Sequence, residues 1–274
     1  MTRVVITKIR NLIEQLFQLL VLSVPKPIFV FLFNFKLICQ KIPDRLSYKR
    51  EVKAYRIKNL IEERFFVTKP QNYNSFKNGL RKRNLKLINE YLIDNLILEP
   101  DDLVVDCGAN IGDFWFALNA THNKFKYIGF EPSIQEFRML KLNIGSKGEC
   151  HNVGLWDKDE KLNFYVSNEN ADSSFIKPIE HTDVNEMQGK RLDQFISTKI
   201  KLLKLEAEGA ELQVLKGMGS LLDHCEYIAA DLGFENLNKS TLPQVTNYLL
   251  GRNFEIIDFG SPRIVVLFKS PFSK

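Results

Sequence analysis

Leu103-Val-Val-Asp106-Cys-Gly108-Ala-Asn110-Ile-Gly112 is the stretch that decides the fold of this 274-residue chain. Its first residues are mostly apolar, as in a buried strand, and glycines then interrupt the chain before a helical pattern begins. Glycine lets the backbone approach a ligand closely, and the free amides at a helix start face that ligand. The stretch therefore predicts a strand, a ligand-binding turn and a helix, although a plain strand-to-helix connection could have similar residues.

Beyond this stretch, short apolar runs alternate with helical patterns, which is typical of a parallel sheet covered by helices. Helices are predicted to begin near Ile111, Ser133, Glu211 and Leu242. The last two strands follow each other directly, so we expect an antiparallel hairpin at one edge. The insertion 154–200 holds a further short strand, 162–166. The predicted fold is α/β, a doubly wound, mostly parallel seven-stranded sheet with strands at 103–107, 127–130, 149–153, 201–205, 227–231, 254–259 and 264–268.

Glu131 follows the second predicted strand and lies nineteen residues beyond Gly112. In nucleotide-binding α/β folds, a carboxylate at this position accepts both hydroxyls of a ribose. The turn and the carboxylate together predict a cofactor that contains adenosine. A nicotinamide dehydrogenase is the alternative, but its G-x-G-x-x-G pattern needs a third glycine at an offset where this turn has none. Asp106 disfavours a pyrophosphate and suits a cationic ligand such as S-adenosylmethionine.

A second polar stretch ends the fourth predicted strand and reads Lys201-Leu-Leu-Lys204-Leu-Glu206-Ala-Glu208-Gly-Ala-Glu211. Alternate residues of a strand share a face, so Lys204, Glu206 and Glu208 can point the same way. Open α/β sheets bind their ligands at this carboxyl end. Two carboxylates and a lysine at close range shift one another's pKa, as an active site requires. Glu211 falls in the first turn of the next helix, where capping is the simplest interpretation.

Together these stretches resemble the FkbM-type methyltransferases, which use S-adenosylmethionine. The family pattern has an Asp-x-Gly-Ala-Asn-x-Gly turn, a Phe-Glu-Pro after the second strand and a Lys-x-Asp-x-Glu-Gly-x-Glu signature at the fourth. This chain supplies residues 106–112, Phe130-Glu131-Pro132 and 204–211 in the same order. It departs from the pattern at Glu206, where the family usually has the shorter Asp.

The resemblance implies a class I, Rossmann-like methyltransferase that methylates a hydroxyl, often on a sugar of a glycan or glycolipid. A hydroxyl acceptor must lose its proton, and a carboxylate beside it is the natural base. The candidate catalytic residues are Lys204, Glu206, Glu208 and Asp231, which follows the fifth strand. The cofactor-binding residues that the resemblance implies are Asp106, Gly108, Asn110 and Gly112 for the methionine part, Glu131 for the ribose and Trp156 for the adenine.

The first part of the chain differs from the rest in charge. Residues 1–100 hold 19 Lys and Arg against 8 Asp and Glu, whereas residues 101–274 hold 19 against 25. We therefore expect a basic, apolar, helical N-terminal arm over 1–80 and a methyltransferase domain over 81–274.

Within that arm, residues 5–24 have the spacing of an amphipathic helix, and 28–39 form a second apolar stretch. A basic helical stretch is expected to continue to about residue 96. The longest uncharged runs are shorter than the roughly 18 to 20 residues of a spanning helix. Residues 1–60 are therefore expected either to bind a membrane peripherally or to pack on the body as ordinary core.

Composition also bears on other classes of function. The cysteines, Cys39, Cys107, Cys150 and Cys225, are too far apart for zinc or redox motifs, so we expect reduced thiols and no metal site, although clustered carboxylates could hold a hard divalent ion. The absence of a convincing signal peptide favours a cytoplasmic enzyme, with contact to the inner membrane face as an extension. Nucleic acid is not expected, because the basic clusters are interleaved with aliphatic side chains. An inactive membrane-associated adaptor is the alternative function, and the oligomeric state stays open.

Overall fold

A computed structural model describes residues 24–67, 70–122, 124–166, 175–176, 183–234 and 239–271. The predicted helix over 5–24 therefore lies almost wholly outside the described residues. The chain divides into two compact units, 1–83 and 84–274. Within the described parts of the chain, every helix is too short or too polar to cross a bilayer.

The first unit pairs a helix with a small antiparallel sheet. Asn34 of the helix fixes the edge of this sheet, because its side chain accepts from the amide of Leu46 at 2.7 Å and donates to the carbonyl of Leu46 at 2.9 Å. The strand order is β1-β2-β3. The elements are α1 Lys26–Cys39, β1 Arg45–Lys49, β2 Ala54–Lys58, β3 Glu63–Phe66 and α2 Pro70–Phe76, followed by α3 Leu80–Glu90.

The helical interpretation of the basic stretch is wrong for residues 45–66, which form these three strands. In β2, Tyr55 and Ile57 are buried while Lys58 is exposed, a period of two that fits a half-buried strand. The lysines and arginines that suggested a helix occupy the β1–β2 turn and the outward positions. Helix α1 supplies the apolar surface that buries the inward positions, and a search for helical periodicity alone does not detect this tertiary contribution.

The second unit is built on a seven-stranded sheet in the order β12-β13-β11-β10-β4-β5-β6. All seven predicted strands are present, and the antiparallel hairpin β12–β13 lies at one edge as predicted. The strands are β4 Leu103–Cys107, β5 Lys126–Phe130, β6 Glu149–His151, β10 Ile200–Leu205, β11 Cys225–Asp231, β12 Glu255–Phe259 and β13 Val265–Lys269. The helices between them are α4 Asp113–Asn119, α5 Ile134–Ile144, α6 Glu211–Lys216 and α7 Leu242–Leu250.

The insertion forms a second, smaller sheet in the order β7-β9-β8. Its strands are β7 Gly154–Leu155, β8 Glu160–Val166 and β9 Asp183–Lys190. The predicted strand over 162–166 is confirmed within β8. Strand β9 was not predicted, because residues 183–190 are mostly exposed and polar and lack the apolar alternation of a strand.

The apolar core occupies both faces of the large sheet. Neighbouring residues of one strand enter different clusters, as Val105 and Leu203 join one cluster while Val104 and Leu202 join the other. The register places Cys107 opposite both Phe130 and Leu205, and Leu205 opposite Ala230. The carboxyl ends of β4, β5, β10 and β11 are therefore level, and the polar residues that follow them meet at one edge of the sheet.

Candidate active site

The turn after β4 takes the backbone conformation that its glycines allow. Gly108, Asn110 and Gly112 have φ values of 74°, 49° and 88°, in the left-handed region that glycine adopts without strain. A Cβ atom on Gly108 would lie 2.1 Å from the carbonyl oxygen of Glu206. Glycine is required at this position because the β4 turn and the segment after β10 touch through their backbones.

Glu131 lies at the end of β5 and is held by backbone amides. Its Oε2 accepts from the amide of Asn110 and its Oε1 from the amide of Ser133, each at 2.8 Å. Burial, with a contribution from Glu136, raises the pKa of this carboxyl to about 8 despite the two amides. Each oxygen keeps a second lone pair, so the carboxylate can still accept the two hydroxyls of a ribose.

Asp106 is fully buried beneath the turn. The hydroxyl of Tyr127 donates to its Oδ2 at 2.7 Å, and Nζ of Lys204 lies 3.1 Å from its Oδ1. These contacts give Asp106 an internal role as the counter-charge of Lys204.

Lys204 extends from β10 under the glycine turn. Its Nζ donates to the carbonyl of Gly108 at 2.6 Å and lies 2.9 Å from Oε2 of Glu206. Burial alone would lower the pKa of this amine, but the charges of Asp106 and Glu206 outweigh it and hold the pKa well above its ordinary value. Lys204 is therefore a fixed cation that joins the turn to β10.

Glu206 is bound by three side chains. Its Oε2 accepts from the hydroxyl of Tyr91 at 2.7 Å and from Lys204, and its Oε1 accepts from Nη2 of Arg263. Burial opposes ionisation, but Lys204 and Arg263 overcome it and hold the pKa of Glu206 far below its ordinary value. The carboxylate is a permanent anion with a fixed orientation.

Sequence reasoning missed Tyr91 and Arg263. Tyr91 follows α3 and Arg263 lies in the loop between β12 and β13, yet Nη2 of Arg263 donates to the Tyr91 hydroxyl at 3.2 Å. No local pattern marks either residue. The one available signal was that an arginine lies at the hairpin end beside the edge where the carboxylates meet.

Asp231 ends β11 and shares Arg263 with Glu206. Nε of Arg263 donates to its Oδ2, and the amide of Gly233 donates to its Oδ1 at 3.3 Å. Burial raises the pKa of Asp231 above its ordinary value, although Arg263 opposes this shift. Asp231 is therefore a better proton acceptor than Glu206.

The other predicted residues differ in placement. Glu208 is half-buried in the turn after β10, with φ at 48°. Glu211 accepts from the amides of Ala207 and Gly209, both at 3.0 Å, and so closes the turn before α6. Trp156 lies at the small sheet, where its Nε1 donates to Glu160 at 3.0 Å. The structure thus brings together the predicted residues Asp106, Gly108, Asn110, Glu131, Lys204, Glu206 and Asp231.

The sheet order, the glycine turn and the carboxylate after β5 are typical of a Rossmann-like enzyme that binds an adenosine-containing cofactor at the carboxyl edge of its strands. The Methyltransferase FkbM domain matches residues 106–256, which is more than half of the chain. The chain belongs to the FkbM methyltransferase family. Membership favours methyl transfer over the dehydrogenase alternative.

Individual proteins to which this chain is similar include one curated relative and two solved structures. The 2-O-methyltransferase NoeI of Sinorhizobium fredii is 22% identical over 219 residues, covering 72% of this chain and 90% of NoeI. A crystal structure of methyltransferase FkbM from Methylobacillus flagellatus has a TM-score of 0.49 at 20% identity, covering 65% of this chain and 46% of that one. A Streptococcus mutans methyltransferase structure in complex with SAH has a TM-score of 0.42 at 11% identity, covering 68% and 97%.

The chain is an S-adenosylmethionine-dependent methyltransferase, and its donor set fits this cofactor. The carboxylates of Asp106, Glu206 and Asp231 meet two cations, Lys204 and Arg263, at this edge, and Glu131 adds a fourth carboxylate when it ionises, which suits a sulfonium and an ammonium. Glu131 retains the lone pairs that a ribose needs. Over the described residues, no three His, Cys, Asp or Glu side chains cluster as metal ligands, and the expectation of metal-free transfer stays a prediction.

Proposed function

We propose that this enzyme transfers a methyl group to a hydroxyl of a sugar in a glycan or glycolipid. The observation that carries the proposal is the set of ionised side chains at the ends of β10 and β11, next to the cofactor turn. Glu206 and Asp231 are joined there through Arg263, and the Glu206 side chain is 25% exposed. The name of NoeI, a 2-O-methyltransferase, supports an oxygen acceptor.

The proposed cofactor site follows the glycine turn. Gly108, Asn110 and Gly112 give the methionine part access to the backbone, and Asp106 acts from beneath through Lys204. Glu131 holds the ribose by accepting hydrogen bonds from both hydroxyls, and we assign Trp156 to the adenine side. When bound, S-adenosylmethionine supplies the methyl group as an electrophile.

The chain's own contribution is then alignment and removal of one proton. Methyl transfer needs the acceptor oxygen close to the methyl carbon and in line with its bond to sulfur, so positioning supplies much of the rate. Glu206 is suited to orient an acceptor hydroxyl, because its charge and its direction are fixed by Lys204, Tyr91 and Arg263.

Of the candidate carboxylates, Asp231 is best suited to take the proton. Oε2 of Glu206 already accepts two donors and Oε1 a third, whereas each oxygen of Asp231 accepts one. Asp231 therefore retains more acceptor capacity, and its raised pKa favours proton uptake. Glu208 lies in the adjoining turn and is the second candidate, while Lys204 acts as a positioning cation.

A sugar-acceptor screen tests this proposal. The full chain is incubated with S-adenosylmethionine carrying a labelled methyl group and a panel of free, glycoside and lipid-linked sugars, and the methyl ether is detected by mass spectrometry. Methylation of a nitrogen-containing or non-sugar acceptor, with no sugar methylated, would show that the acceptor assignment is wrong.

Amide variants then test the residue roles. We expect Asp231→Asn to lower turnover by about 10²–10⁴-fold, as removal of a general base does, while affinity for S-adenosylhomocysteine stays within a few fold. Glu206→Gln and Glu208→Gln are measured beside it. Asp258→Asn is the matched control, because this exposed side chain bonds its neighbouring amide in β12. Parental turnover in all three site variants would refute the assignment.

We further propose that the enzyme works in the cytoplasm with its N-terminal part at the inner face of the membrane. The charge contrast between the two parts of the chain supports this location, and a glycolipid acceptor would lie at the same surface. The assignment of residues 81–274 to catalysis and 1–80 to this contact is part of the proposal, with no role for nucleic acid.

A further inference from the structure

Helix α1 has two apolar faces, and the described residues of the chain cover only one of them. Phe29, Phe33 and Leu37 are at most 4% exposed, and the ring of Phe29 meets that of Tyr55 in β2 with centroids 5.1 Å apart. The opposite face carries four large apolar side chains that solvent reaches. We call this set the outer stripe: Ile28, Phe31, Phe35 and Ile38, which are 47%, 66%, 56% and 54% exposed.

The outer stripe is a continuous surface. Its members are spaced by three, four and three residues, so they line one side of the helix. The rings of Phe31 and Phe35 stack with centroids 6.4 Å apart. Isolated exposed apolar residues are common, but an aligned set of this kind marks an interaction surface.

Basic residues lie at both ends of the outer stripe. At its start, Nζ of Lys26 donates to the hydroxyl of Tyr48 at 3.0 Å, which brings that end beside the β1–β2 turn. This turn carries the exposed residues Arg50 and Lys53. At the other end, Lys41 and Arg45 follow the helix and are also exposed. Residues 24–67 together hold 10 Lys and Arg against 4 Asp and Glu.

We propose that the outer stripe lies in the surface of an anionic lipid bilayer, with the basic residues at both ends contacting the headgroups. With 14 residues, α1 is shorter than the roughly 20 that span a bilayer, so it lies in the membrane plane. Each Lys or Arg near an anionic leaflet strengthens binding, and the stripe supplies the apolar contact. The inference deepens the proposed membrane location but does not depend on methyl transfer.

Vesicle sedimentation tests the outer stripe without cofactor or acceptor. The full chain is mixed with phosphatidylcholine vesicles, with or without phosphatidylglycerol, at low and high salt. We expect pelleting that requires the anionic lipid and weakens with salt. The double variant Phe31→Ser with Phe35→Ser should lower the partition coefficient at least about tenfold, because two large apolar contacts with the bilayer are lost.

A matched control changes equally exposed apolar residues of the second unit. Ile97→Ser with Phe259→Ser, at sites 72% and 55% exposed, should leave vesicle binding unchanged. The Phe31/Phe35 variant should also keep the parental melting temperature and oligomeric state, because the replaced side chains are exposed.

Four outcomes would overturn the inference. The full chain fails to pellet with anionic vesicles, or the Phe31/Phe35 variant binds as well as the parent. Alternatively, the variant melts well below the control, which would mean that other residues of the chain cover the stripe. Finally, the variant changes the oligomeric state, which would assign the stripe to a second copy. None of these results would bear on methyl transfer.

Discussion

Two glutamates at the same edge of the sheet differ in what surrounds them. Glu131, at the end of β5, accepts only backbone amides in the contacts described above, and its pKa is raised to about 8. Glu206, after β10, accepts from Lys204, Tyr91 and Arg263, and its pKa is lowered. The same residue type therefore carries opposite pKa shifts within one site.

The contrast separates two tasks. Glu131 is held in place without a fixed counter-charge, so its ionisation can respond to a ligand. Glu206 is ionised before any ligand arrives. Pairs of titratable groups whose surroundings move their pKa values apart are typical of active sites that divide binding from chemistry.

Removal of Lys204, the cation beneath the turn, should have the largest effect, which is a loss of stability. Lys204→Met leaves the buried Asp106 without its cation and Glu206 with Arg263 alone, and we expect the free energy of unfolding to fall by about 3–5 kcal/mol. Urea denaturation followed by circular dichroism measures this loss. Lys201→Met on the same strand is the control, because its partner Glu226 keeps a second cation, Lys199, so this change should cost only about 1 kcal/mol. Equal losses in both variants would refute the special role of Lys204.

Removal of the amide-held carboxylate should weaken cofactor binding. Glu131→Ala loses the hydrogen bonds to the ribose, and calorimetry should find S-adenosylhomocysteine bound more weakly by about 1.5–3 kcal/mol. Glu149→Ala in the neighbouring strand β6 is the control, since its side chain is 61% exposed and pairs with His151. NAD should bind to none of these proteins. An NAD complex in the absence of S-adenosylhomocysteine binding would contradict the cofactor assignment.

The pH dependence of cofactor binding should distinguish Glu131 from Glu206. Below pH 8 Glu131 is mostly protonated in the free enzyme, whereas ribose hydroxyls donate to the ionised form. Affinity for S-adenosylhomocysteine should therefore rise by up to about tenfold per pH unit between roughly pH 6 and 8, then level off. Calorimetry in buffers of different ionisation enthalpy should detect proton release on binding. Glu131→Gln should abolish this increase in affinity with pH. An affinity that falls as the pH rises would contradict the prediction.

Loss of one hydroxyl should have the smallest effect. Tyr91→Phe removes one donor to Glu206, so we expect turnover to fall by up to about tenfold, equivalent to about 1.4 kcal/mol, with cofactor affinity unchanged. In the double variant with Glu206→Gln, Tyr91→Phe should lower turnover little further, because the carboxylate that accepts from Tyr91 is no longer present.

Tyr73→Phe is the control for this prediction. Tyr73 is equally buried and accepts from Lys36 at 3.1 Å in the first unit, so its loss should leave turnover at the parental value. If the losses of turnover in Tyr91→Phe and Glu206→Gln add up in the double variant, Tyr91 acts on turnover independently of Glu206.

The fold of the second unit was predictable because its signals are local. Each strand is a short apolar run, and the turn from Asp106 to Gly112 carries its own conformational requirement in its glycines. Glu131 could be placed because its distance along the chain from that turn is set by one strand-turn-helix-strand unit. The strands β1 to β3 were missed because tertiary contact with α1, rather than their own periodicity, buries them.

The environment of Glu206 was only half predictable. Lys204 is two residues away on the same strand, so a shared face was expected from the alternation. Tyr91 lies 115 positions away in sequence, and Arg263 lies 57 positions away. Such partners leave no pattern in a single sequence, and the sign of the Glu206 pKa shift depends on them.

The position of Arg263 has a consequence during protein synthesis. The ribosome makes Glu206 and Asp231 before the loop that carries their shared cation, Arg263. Until that hairpin has emerged and paired with β11, the growing chain holds these carboxylates without the guanidinium that joins them. The active site is therefore completed only after the loop between β12 and β13 has been translated, so a chain that stops before residue 260 cannot assemble it, however much of the sheet has formed.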